Sequence, residues 1–388
     1  MDRLLLKNDS RITLLFLSWR DIRSSKKGGA EVFTHEMLKR LDRLKYRIIH
    51  ISPLEADLKE YEEIDGVTYI RNGNILSSTL FSKNYYKKNR NYIDYVVDQC
   101  NTFRYFTFLW IKKSKRIFFI HQLTKDIWFK NAKFPLNLFG FLFEPVHLWL
   151  TRDDFTITVS DSTKSDLLKL GFKNEKITIL PEGINFLAWK KEDFLEKEKN
   201  PTFIYVGRFV HYKGIDDSII AFGKLKEKYP NSKLWVVGKK NDKYIKESLI
   251  PIMNRYNLSY GNSFDDKDIT FWGFVSDDEK YNLMSRSHAL IFPSTREGWG
   301  LTVTESAVVG TPSIVYNSPG LVDAVNHGEA GYLCNINTPE TIYSNMLKIL
   351  ENREAYETMR SLAYSFSKQF HWDNTSQSFE NFLTFIKK

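Results

Sequence analysis

Cysteine is scarce in this chain, which has two among 388 residues. Cys100 and Cys334 stand far apart and match no metal-binding or redox spacing, so the sequence predicts a reducing environment and no disulfide bond. The first residues, Met1 to Arg3, lead into only a very short apolar patch, which predicts no secretory signal. We therefore expect a cytoplasmic protein.

Long hydrophobic runs are also missing, since no stretch reaches the roughly 20 apolar residues of a membrane-spanning helix. Residues 138–150, within the wider apolar segment 134–150, come nearest, but Glu144, Pro145 and His147 interrupt them. Two interpretations stay open for this segment. It is either a buried helix pair of the first domain or an apolar surface that rests, together with lysines, on an anionic membrane. The second interpretation would make the protein peripheral at the inner face of the membrane.

Acidic residues are fewer than basic ones, 47 against 56, and the net charge is +9. The basic residues cluster in the first part of the chain, at Lys26, Lys27, Lys83, Lys87, Lys88, Arg90, Lys112, Lys113, Lys115 and Arg116. Aromatic residues lie among them, so this surface suits an anionic membrane or a polyanionic acceptor. A nucleic-acid partner is not expected, because the chain has no zinc spacing, RNP-like run or recognisable recognition helix.

Apolar strands alternate with helices along the whole chain, and this pattern predicts an α/β protein with two doubly wound domains. The hydrophobic content of 42% is enough for two full cores. A helix is expected over residues 29–44, and the charged segment 190–200 is interpreted as the linker. The predicted strands are residues 11–17, 46–51, 67–70, 95–97, 117–120, 155–159, 202–206, 233–237, 269–272, 288–292 and 313–316.

The most informative segment is residues 296–307, which follow the apolar run 288–293. A buried strand, a glycine-rich turn and a helix form the layout in which an open α/β sheet presents a helix N-terminus to a phosphate. Glu297 and Glu305 are too acidic to hold that phosphate, and we interpret them as acceptors for hydroxyl groups on either side of it. The order Glu-Gly-x-Gly, with a second Glu eight positions after the first, resembles the donor site of retaining glycosyltransferases of the GT-B fold, family GT4.

Residues 205–214 strengthen this resemblance, because they carry Arg208 and Lys213 between a strand and a helix. The resemblance covers nearly the whole chain and implies two Rossmann-like domains that face each other across a cleft. It implies an acceptor-side domain over residues 1–185 and a nucleotide-sugar domain over 186–371. The final helix, 372–388, is then expected to cross back onto the first domain.

The resemblance also implies a role for each site residue. Arg208 and Lys213 are expected to clamp the donor diphosphate, Glu297 to hold sugar hydroxyls and Glu305 to hold the ribose. With His121, which is expected to contact the transferred sugar, Arg208, Lys213 and Glu297 are the predicted catalytic residues. The predicted donor-binding residues are Gly28, Gly29, Glu31, Gly207, Gly273, Phe274, Val275, Gly298, Trp299, Gly300, Leu301, Thr302 and Glu305.

Three residues are predicted on the acceptor side. Asp98 is expected to orient an acceptor hydroxyl, and Lys26 and Lys27 are expected to lie near it. The expected donor is a UDP- or GDP-sugar, and the acceptor a saccharide or lipid-linked molecule in cell-surface polysaccharide or glycoconjugate synthesis. No cofactor and no metal are expected, and the Asp-x-Asp at Asp266 and Asp268 is interpreted as a surface loop.

The resembled enzymes retain the anomeric configuration through attack from the face that the diphosphate leaves, so neither a general base nor a carboxylate nucleophile is required of this chain. Two alternatives remain open at this point. One is a GT-B-fold sugar-nucleotide epimerase or phosphorylase, and the other is a basic nucleic-acid-binding protein.

Overall fold

The computed structural model describes residues 10–101, 103–131, 133–184, 189–263 and 265–387. The chain divides into two compact units, of which the first comprises Met1–Gly183 and His371–Lys388 and the second Ile184–Phe370. The domain boundary predicted after residue 185 lies outside the described residues. In the described part of the chain, no helix has both the length and the apolar character needed to cross a membrane.

The first unit contains an eight-stranded sheet in the order β3-β4-β2-β1-β5-β6-β7-β8, in which β3 alone pairs antiparallel. Its interior strands are mostly apolar and largely buried, as expected for parallel strands that are covered on both faces. The strands are β1 Ile12–Leu17, β2 Tyr46–Ser52, β3 Tyr61–Ile64, β4 Val67–Arg71, β5 Tyr95–Cys100, β6 Arg116–Ile120, β7 Phe155–Thr158 and β8 Ile177–Ile179.

Helices of the first unit are α1 Gly29–Lys39, α2 Ile75–Asn89, α3 Ile127–Asn131, α4 Leu136–Trp149 and α5 Asp161–Lys169. Short 3₁₀ turns lie at Thr107–Leu109, Lys113–Lys115 and Asn174–Lys176. The prediction that the first helix extends to Leu44 was wrong, because Leu44 is 88% exposed and α1 ends at Lys39. The chain turns there to enter β2, and the Tyr46 N–H donates to the Asp42 carbonyl.

The second unit contains a parallel sheet in the order β11-β12-β10-β9-β13-β14-β15. Its strands are β9 Thr202–Val206, β10 Lys233–Val237, β11 Tyr260–Asn262, β12 Ile269–Gly273, β13 Ala289–Phe292, β14 Ser313–Tyr316 and β15 Tyr332–Cys334. Its helices are α6 Ile215–Lys228, α7 Asp242–Tyr244, α8 Ile250–Arg255, α9 Asp277–Arg286, α10 Leu301–Val308, α11 Leu321–Ala324, α12 Pro339–Glu351 and α13 Arg353–Ser367, with a π-helical turn at Ile245–Leu249 and 3₁₀ turns at Lys191–Asp193, His211–Lys213 and Asn326–Gly328. Both units are therefore doubly wound α/β domains, as predicted.

The last helix, α14 Trp372–Lys387, packs on the first unit. Arg40, directly after α1, forms an ion pair of 2.9 Å with Asp373, and the buried Trp372 ring meets Phe33 of α1 edge-on at 5.6 Å. The Phe379 ring lies 6.0 Å from that of Phe16 in β1. An apolar stripe along the helix thus covers the first sheet, as the resemblance implied.

The interpretation of residues 190–200 as a linker was wrong, because this segment is part of the second unit. The Phe194 ring packs edge-on against Tyr364 of α13 at 5.1 Å. The Lys197 ammonium donates to the carbonyls of Ser285 and Ser287 at 2.9 and 2.8 Å, and to the Thr311 hydroxyl at 2.6 Å. A charged composition resembles a solvated linker, but here the charge satisfies backbone oxygens that other elements leave open.

Candidate functional site

The strand order of the second sheet reverses at β9, which lies between β10 and β13. In open α/β sheets, ligands bind outside the carboxyl ends of the strands at this point of reversal. Arg208 and Lys213 lie in the loop after β9, and Glu297 lies in the loop after β13. The two sequence motifs, 91 positions apart at their first residues, are therefore neighbours in the second unit.

Lys213 and Glu297 form the central contact of this site. The Lys213 ammonium donates to Glu297 Oε1 at 2.5 Å, and each side chain is only 13% exposed. The loops that carry them are joined through Tyr212, whose carbonyl accepts from the Thr295 N–H at 2.8 Å and from the Ser294 hydroxyl at 3.1 Å. Hydrogen bonds between the two loops thus keep Lys213 and Glu297 next to each other.

Arg208 is fixed beside this pair by two tyrosines. Its guanidinium donates to the Tyr212 hydroxyl at 2.6 Å, and its carbonyl accepts from the Tyr205 hydroxyl at 3.0 Å. Burial, followed by the charge of Glu297, raises the pKa of Tyr205, which therefore stays protonated and acts as a donor. The structure thus brings together Arg208, Lys213 and Glu297.

The carboxyl ends of β9, β10 and β12 meet at three glycines. The Gly207 N–H donates to the Val237 carbonyl at 3.0 Å, and the Gly238 N–H donates to the Gly273 carbonyl at 2.8 Å. Gly238 has φ +150°, and a Cβ there would lie 2.0 Å from the Gly207 carbonyl oxygen, so no larger residue fits. Sequence reasoning missed Gly238, although the pattern of a glycine directly after an apolar strand signals it.

Phe274 and Val275 follow directly after β12. The Phe274 side chain is 87% exposed, whereas Val275 is partly buried. An exposed aromatic ring at a strand end is suited to stacking, and the predicted donor contacts of Phe274 and Val275 stay a prediction.

Glu305 lies on α10 and contacts a lysine that the sequence did not reveal. Its Oε1 accepts from the Lys280 ammonium of α9 at 2.9 Å, and Lys280 also pairs with Asp277 at 2.9 Å. Burial alone would lower the pKa of Lys280, but Glu305 and Asp277 outweigh burial and raise it, so this lysine stays charged. In the sequence Lys280 is one more lysine on an exposed-looking helix, and nothing marks it as the partner of an acid 25 positions away.

Helix α10 begins at a glycine turn. Gly300, its N-cap residue, has φ +122°, so the Gly298–Leu301 turn presents backbone N–H groups at a helix start. The Trp299 side chain is buried, and its indole N–H donates to the Thr304 hydroxyl at 2.9 Å. Leu301 and Thr302 are partly buried in the first turn. Any donor contact by Trp299 would therefore be made by its backbone.

A second glycine, Gly320, braces the loop that carries Glu297. It has φ +81°, and a Cβ there would lie 2.4 Å from the Glu297 carbonyl oxygen. The Glu297 N–H donates to the Pro319 carbonyl at 3.1 Å. Gly320 therefore determines where Glu297 lies, and sequence reasoning missed it because Ser318-Pro319-Gly320 is an ordinary turn sequence.

In the first unit, Gly28 and Gly29 begin α1 after the loop that follows β1. The Gly28 N–H donates to the Glu31 carboxylate at 2.6 Å, and Asn101 Nδ2 donates to the other carboxylate oxygen at 3.5 Å. Glu31 is buried. The structure gives Glu31 a helix-capping role, because its carboxylate accepts from its own helix start and from Asn101. Its predicted contact with the donor stays a prediction.

His121, at the end of β6, is 6% exposed and lies between two polar side chains that sequence reasoning missed. Its Nε2 is 3.3 Å from Gln99 Nε2, and its Nδ1 is 3.8 Å from Glu182 Oε1. Gln99 Oε1 accepts from the Thr34 hydroxyl at 3.0 Å, so the Gln99 amide nitrogen faces the ring. The amide nitrogen is a donor, so Gln99 is placed to donate to His121 Nε2.

The prediction that Asp98 orients an acceptor hydroxyl was wrong. Asp98 lies inside β5 and is fully buried. It accepts from the N–H groups of Tyr105 and Thr107 at 2.9 and 3.0 Å and from the Arg104 guanidinium at 2.9 Å. Burial alone would raise the pKa of Asp98, but Arg104 and the two N–H groups lower it. The carboxylate therefore organises the 104–107 loop.

Lys26 and Lys27 are exposed on the loop between β1 and α1, and the Lys26 carbonyl accepts from Arg20 at 3.1 Å. Within the described ranges, no group of three or more His, Cys, Asp or Glu side chains is placed to hold a metal ion. Asp266 and Asp268 pair with separate lysines, Lys233 at 2.6 Å and Lys226 at 2.5 Å.

Two protein-family models match the chain. The model "Glycosyltransferase Family 4" matches residues 27–186, and the model "Glycosyl transferases group 1" matches residues 189–366. Together they cover both units. These matches do not favour the epimerase, phosphorylase or nucleic-acid-binding alternatives.

Curated relatives include the glycogen synthase of Mycobacterium tuberculosis, 26% identical over 60% of this chain and 54% of that protein. The capsular polysaccharide biosynthesis glycosyltransferase CapM of Staphylococcus aureus is 27% identical over 63% of this chain and 65% of CapM. The matches thus span between half and two thirds of these relatives. Among solved structures, HepE of Anabaena in complex with UDP-glucose has a TM-score of 0.72, with 16% identity and coverage of 96% of this chain and 100% of HepE. At that identity the likeness shows a shared fold.

Proposed function

The chain belongs to the GT4 family of glycosyltransferases and has the GT-B fold, and from this we propose that it transfers a sugar from a nucleotide sugar to a hydroxyl acceptor with retention of configuration. The observation that carries the proposal is the 2.5 Å contact between Lys213 and Glu297, with Arg208 beside it, at the point of strand reversal in the second sheet. This site offers two cations to a diphosphate and a carboxylate to sugar hydroxyls.

The donor that fits this chemistry is a UDP- or GDP-sugar. Its diphosphate carries about two negative charges, which Arg208 and Lys213 match. A carboxylate has about four lone-pair sites, so Glu297 can accept sugar hydroxyls as well as the Lys213 ammonium. Glu305, held by Lys280, is proposed to accept the ribose hydroxyls, and HepE, which was solved with UDP-glucose, supports UDP as the first nucleotide to test.

In the proposed reaction, the bond from the anomeric carbon to the diphosphate breaks as the acceptor oxygen bonds to the same face of the sugar. The acceptor proton passes to the departing phosphate oxygen, and Arg208, Lys213 and the Gly298–Leu301 N–H groups stabilise the charge that develops there. His121 is proposed to contact the transferred sugar. The proposed reaction uses no metal ion, because Arg208, Lys213 and the backbone N–H groups of residues 298–301 are proposed to stabilise the departing diphosphate.

The proposed acceptor is a saccharide or a lipid-linked molecule in the synthesis of a cell-surface polysaccharide or glycoconjugate. CapM, a relative named for capsular polysaccharide biosynthesis, supports this class of acceptor. The proposed location is the cytoplasm, at the inner face of the membrane when the acceptor is a lipid.

A thermal-shift panel of UDP-, GDP-, ADP- and dTDP-sugars tests the donor. A true donor at 100 times its Kd adds about 2.7 kcal/mol to the free energy of unfolding, which a melting curve resolves easily. Arg208→Ala serves as the matched control, because it should lose most of this shift while it keeps the fold. A panel in which no nucleotide sugar moves the melting temperature would contradict the proposal.

Product analysis tests the stereochemistry and the metal requirement together. NMR of the product should show the anomeric configuration of the donor, and turnover should persist in EDTA. Inversion at the anomeric centre would remove the proposed mechanism. Loss of activity in EDTA that Mn²⁺ restores would instead assign a metal-binding role, with Asp266 and Asp268 the first residues to mutate.

A further inference from the structure

Helix α4 has its apolar residues on the outside. The residues that face the first unit are Gly140, Glu144, His147 and Leu148, and three of these four are small or polar. The large apolar residues of the helix point into solvent instead, with Phe139 64% and Leu142 59% exposed. The exposed set on and beside the helix is Phe134, Leu136, Leu138, Phe139, Leu142, Phe143, Val146, Trp149 and Leu150. A helix of a water-soluble surface shows the opposite arrangement.

The orientation of α4 is determined by contacts on its inner face. The Glu144 carboxylate accepts from the N–H groups of Thr124 and Lys125 at 2.6 and 2.7 Å, before α3 begins. Gly140 lies against Trp128 of α3, and a Cβ there would come within 2.5 Å of the indole ring. Rotating the helix to bury its apolar face would bring the Glu144 carboxylate out of these bonds and move bulk against Trp128.

The outer face of α4 carries no exposed charge. Between Phe134 and Thr151 the only carboxylate is the buried Glu144, and burial lowers the pKa of His147 to about 4, so this imidazole is neutral. The apolar surface continues to Phe129 of α3, which is 49% exposed and whose ring lies 5.1 Å from that of Phe141 in α4. A continuous exposed apolar patch of this kind marks an interaction surface.

Cations border the patch. A groove of about 600 Å³ between α4 and the end of α5 is lined by Pro145, Val146, Trp149, Lys169, Leu170 and Gly171, so a lysine lies at its rim. The Arg152 guanidinium lies over the Trp149 ring, 3.7 Å from its centroid. A half-exposed tryptophan beside basic side chains is typical of residues at the boundary between lipid headgroups and acyl chains.

The register of the first sheet shows that the basic helix α2 covers the same face as α4. Leu17 of β1 is in register with Asp98 of β5, and Asp98 with Phe118 of β6, so these side chains point to one side of the sheet. Tyr86 of α2 belongs to the core cluster of Leu17, and Leu148 of α4 belongs to that of Phe118. Helices α2 and α4 therefore cover the same face of the first sheet and together form one layer on it.

Helix α2 adds positive charge and further apolar residues to that layer. Lys83 and Lys87 are exposed along it, and Leu76 and Leu80 are 73% and 64% exposed near its start. An apolar helix beside a cationic one complements a bilayer that carries anionic lipids, because the first can enter the headgroup boundary while the second meets the lipid charges.

We propose that the layer formed by α2 and α4 rests on the surface of an anionic membrane, with the outer face of α4 inserted at the headgroup boundary. A bilayer fits this face better than a second copy of the chain does, because a second copy would bring the same lysines and the same net charge of +9 against it. The proposed function gives the reason for such contact, because an enzyme with a lipid-linked acceptor must reach the membrane surface.

Flotation with vesicles tests the proposal, with phosphatidylcholine vesicles that either contain or lack phosphatidylglycerol as the two probes. The full chain should float with the anionic vesicles at low salt, and much less with the neutral ones, and binding should fall as salt rises. The variant Phe139→Ser/Leu142→Ser should bind roughly tenfold more weakly, because partitioning follows the buried apolar area. Lys83→Gln/Lys87→Gln should weaken binding to the anionic vesicles and reduce its salt dependence.

Leu44→Gln is the matched control, since Leu44 is an exposed leucine of the same unit that follows α1, outside the layer. It should float like the unchanged chain. No flotation on anionic vesicles at low salt would overturn the proposal, as would flotation that the α4 variant leaves unchanged. If the unchanged chain sediments as a dimer and Phe139→Ser/Leu142→Ser sediments as a monomer, the face is an interface with a second copy of the chain and the proposal is wrong. Donor binding, measured on the same variants by thermal shift, separates failure here from failure of the proposed function.

Discussion

At the scale of single residues, Arg208 and Lys213 are positioned before any donor binds, by Tyr212 and Glu297 respectively. Under the proposed function, replacing either by alanine should remove a charge-assisted contact that is made most strongly to the departing diphosphate. We expect a loss of about 2–4 kcal/mol in transition-state stabilisation, seen mainly in kcat. Steady-state kinetics with the donor found by the panel measures it, and near wild-type kcat in either variant would contradict the assignment.

The control for these variants is Lys233→Ala. Lys233 pairs with Asp266, which is 94% exposed, so this lysine belongs to a surface ion pair. Its loss should change stability by no more than about 0.5 kcal/mol and leave kcat unaltered.

Glu297 and Glu305 should respond differently to the same substitution. Glu297→Gln weakens the hold on Lys213 and leaves fewer acceptor sites for sugar hydroxyls, so kcat and discrimination between donor sugars should both fall. Glu305→Gln should mainly weaken binding of the free nucleotide. Calorimetric titration of each variant with the nucleotide measures the difference, and an equal loss of nucleotide affinity in both would refute the division of roles.

At the scale of elements, the turn before α11, which contains Gly320, packs against the turn before α10, which contains Glu297, and limits where Glu297 can lie. Gly320→Ala would push against the Glu297 carbonyl, so we expect reduced kcat although no donor contact is removed. The control is Gly328→Ala, which also has a positive φ of 99° but whose Cβ would meet nothing nearer than 3.6 Å. Both should lose stability from backbone strain. Activity should fall in Gly320→Ala alone, and equal activity in the two variants would show that the brace has no part in catalysis.

The segment 190–200 makes a separate prediction about stability. Lys197→Met would leave the carbonyls of Ser285 and Ser287 without the donor that now satisfies them, at a cost of about 1–3 kcal/mol. Lys199→Met, two positions away on an exposed residue, should be nearly neutral. Thermal unfolding distinguishes the two variants, and equal melting temperatures would mean that the segment behaves as a solvated linker after all.

At the scale of the whole molecule, buried histidines in both units predict acid sensitivity. Burial lowers the pKa of His50, His147 and His288 to about 4. Between about pH 6.5 and 4 the unfolded chain therefore binds protons that the folded chain does not, so stability falls as pH falls through this window. Each histidine contributes up to about 1.4 kcal/mol per pH unit.

His288 isolates one of these contributions. Its Nδ1 accepts from the Thr202 N–H at 3.1 Å, a bond that protonation at Nδ1 would break. His288→Gln keeps an acceptor without a titrating group, so the slope of melting temperature against pH between 5 and 6.5 should be shallower than in the unchanged chain. Identical slopes would show that His288 titrates normally in the folded state.

Sequence by itself determined the alternation of strands and helices and the two motifs of the candidate site. Strands such as β9 and β10 are continuous apolar runs, which is the local signature of parallel strands buried on both faces. The motifs around Arg208 and Glu297 are local as well, since each contains its strand end, its glycines and its charged residue within a dozen positions. Local patterns of this kind need no knowledge of the rest of the chain.

The tertiary structure alone decided which partner each polar side chain meets. Lys280, on another helix, pairs with Glu305, and Gly320, in another loop, lies against the Glu297 carbonyl. The Asp98 carboxylate accepts hydrogen bonds from the loop after its own strand. It also decided that α4 turns its apolar face outward, because a run of large apolar residues looks the same whether it is buried or exposed. Which face is buried depends on where Glu144 finds N–H donors, and contacts between separate elements are set by packing rather than by the order of residues along the chain.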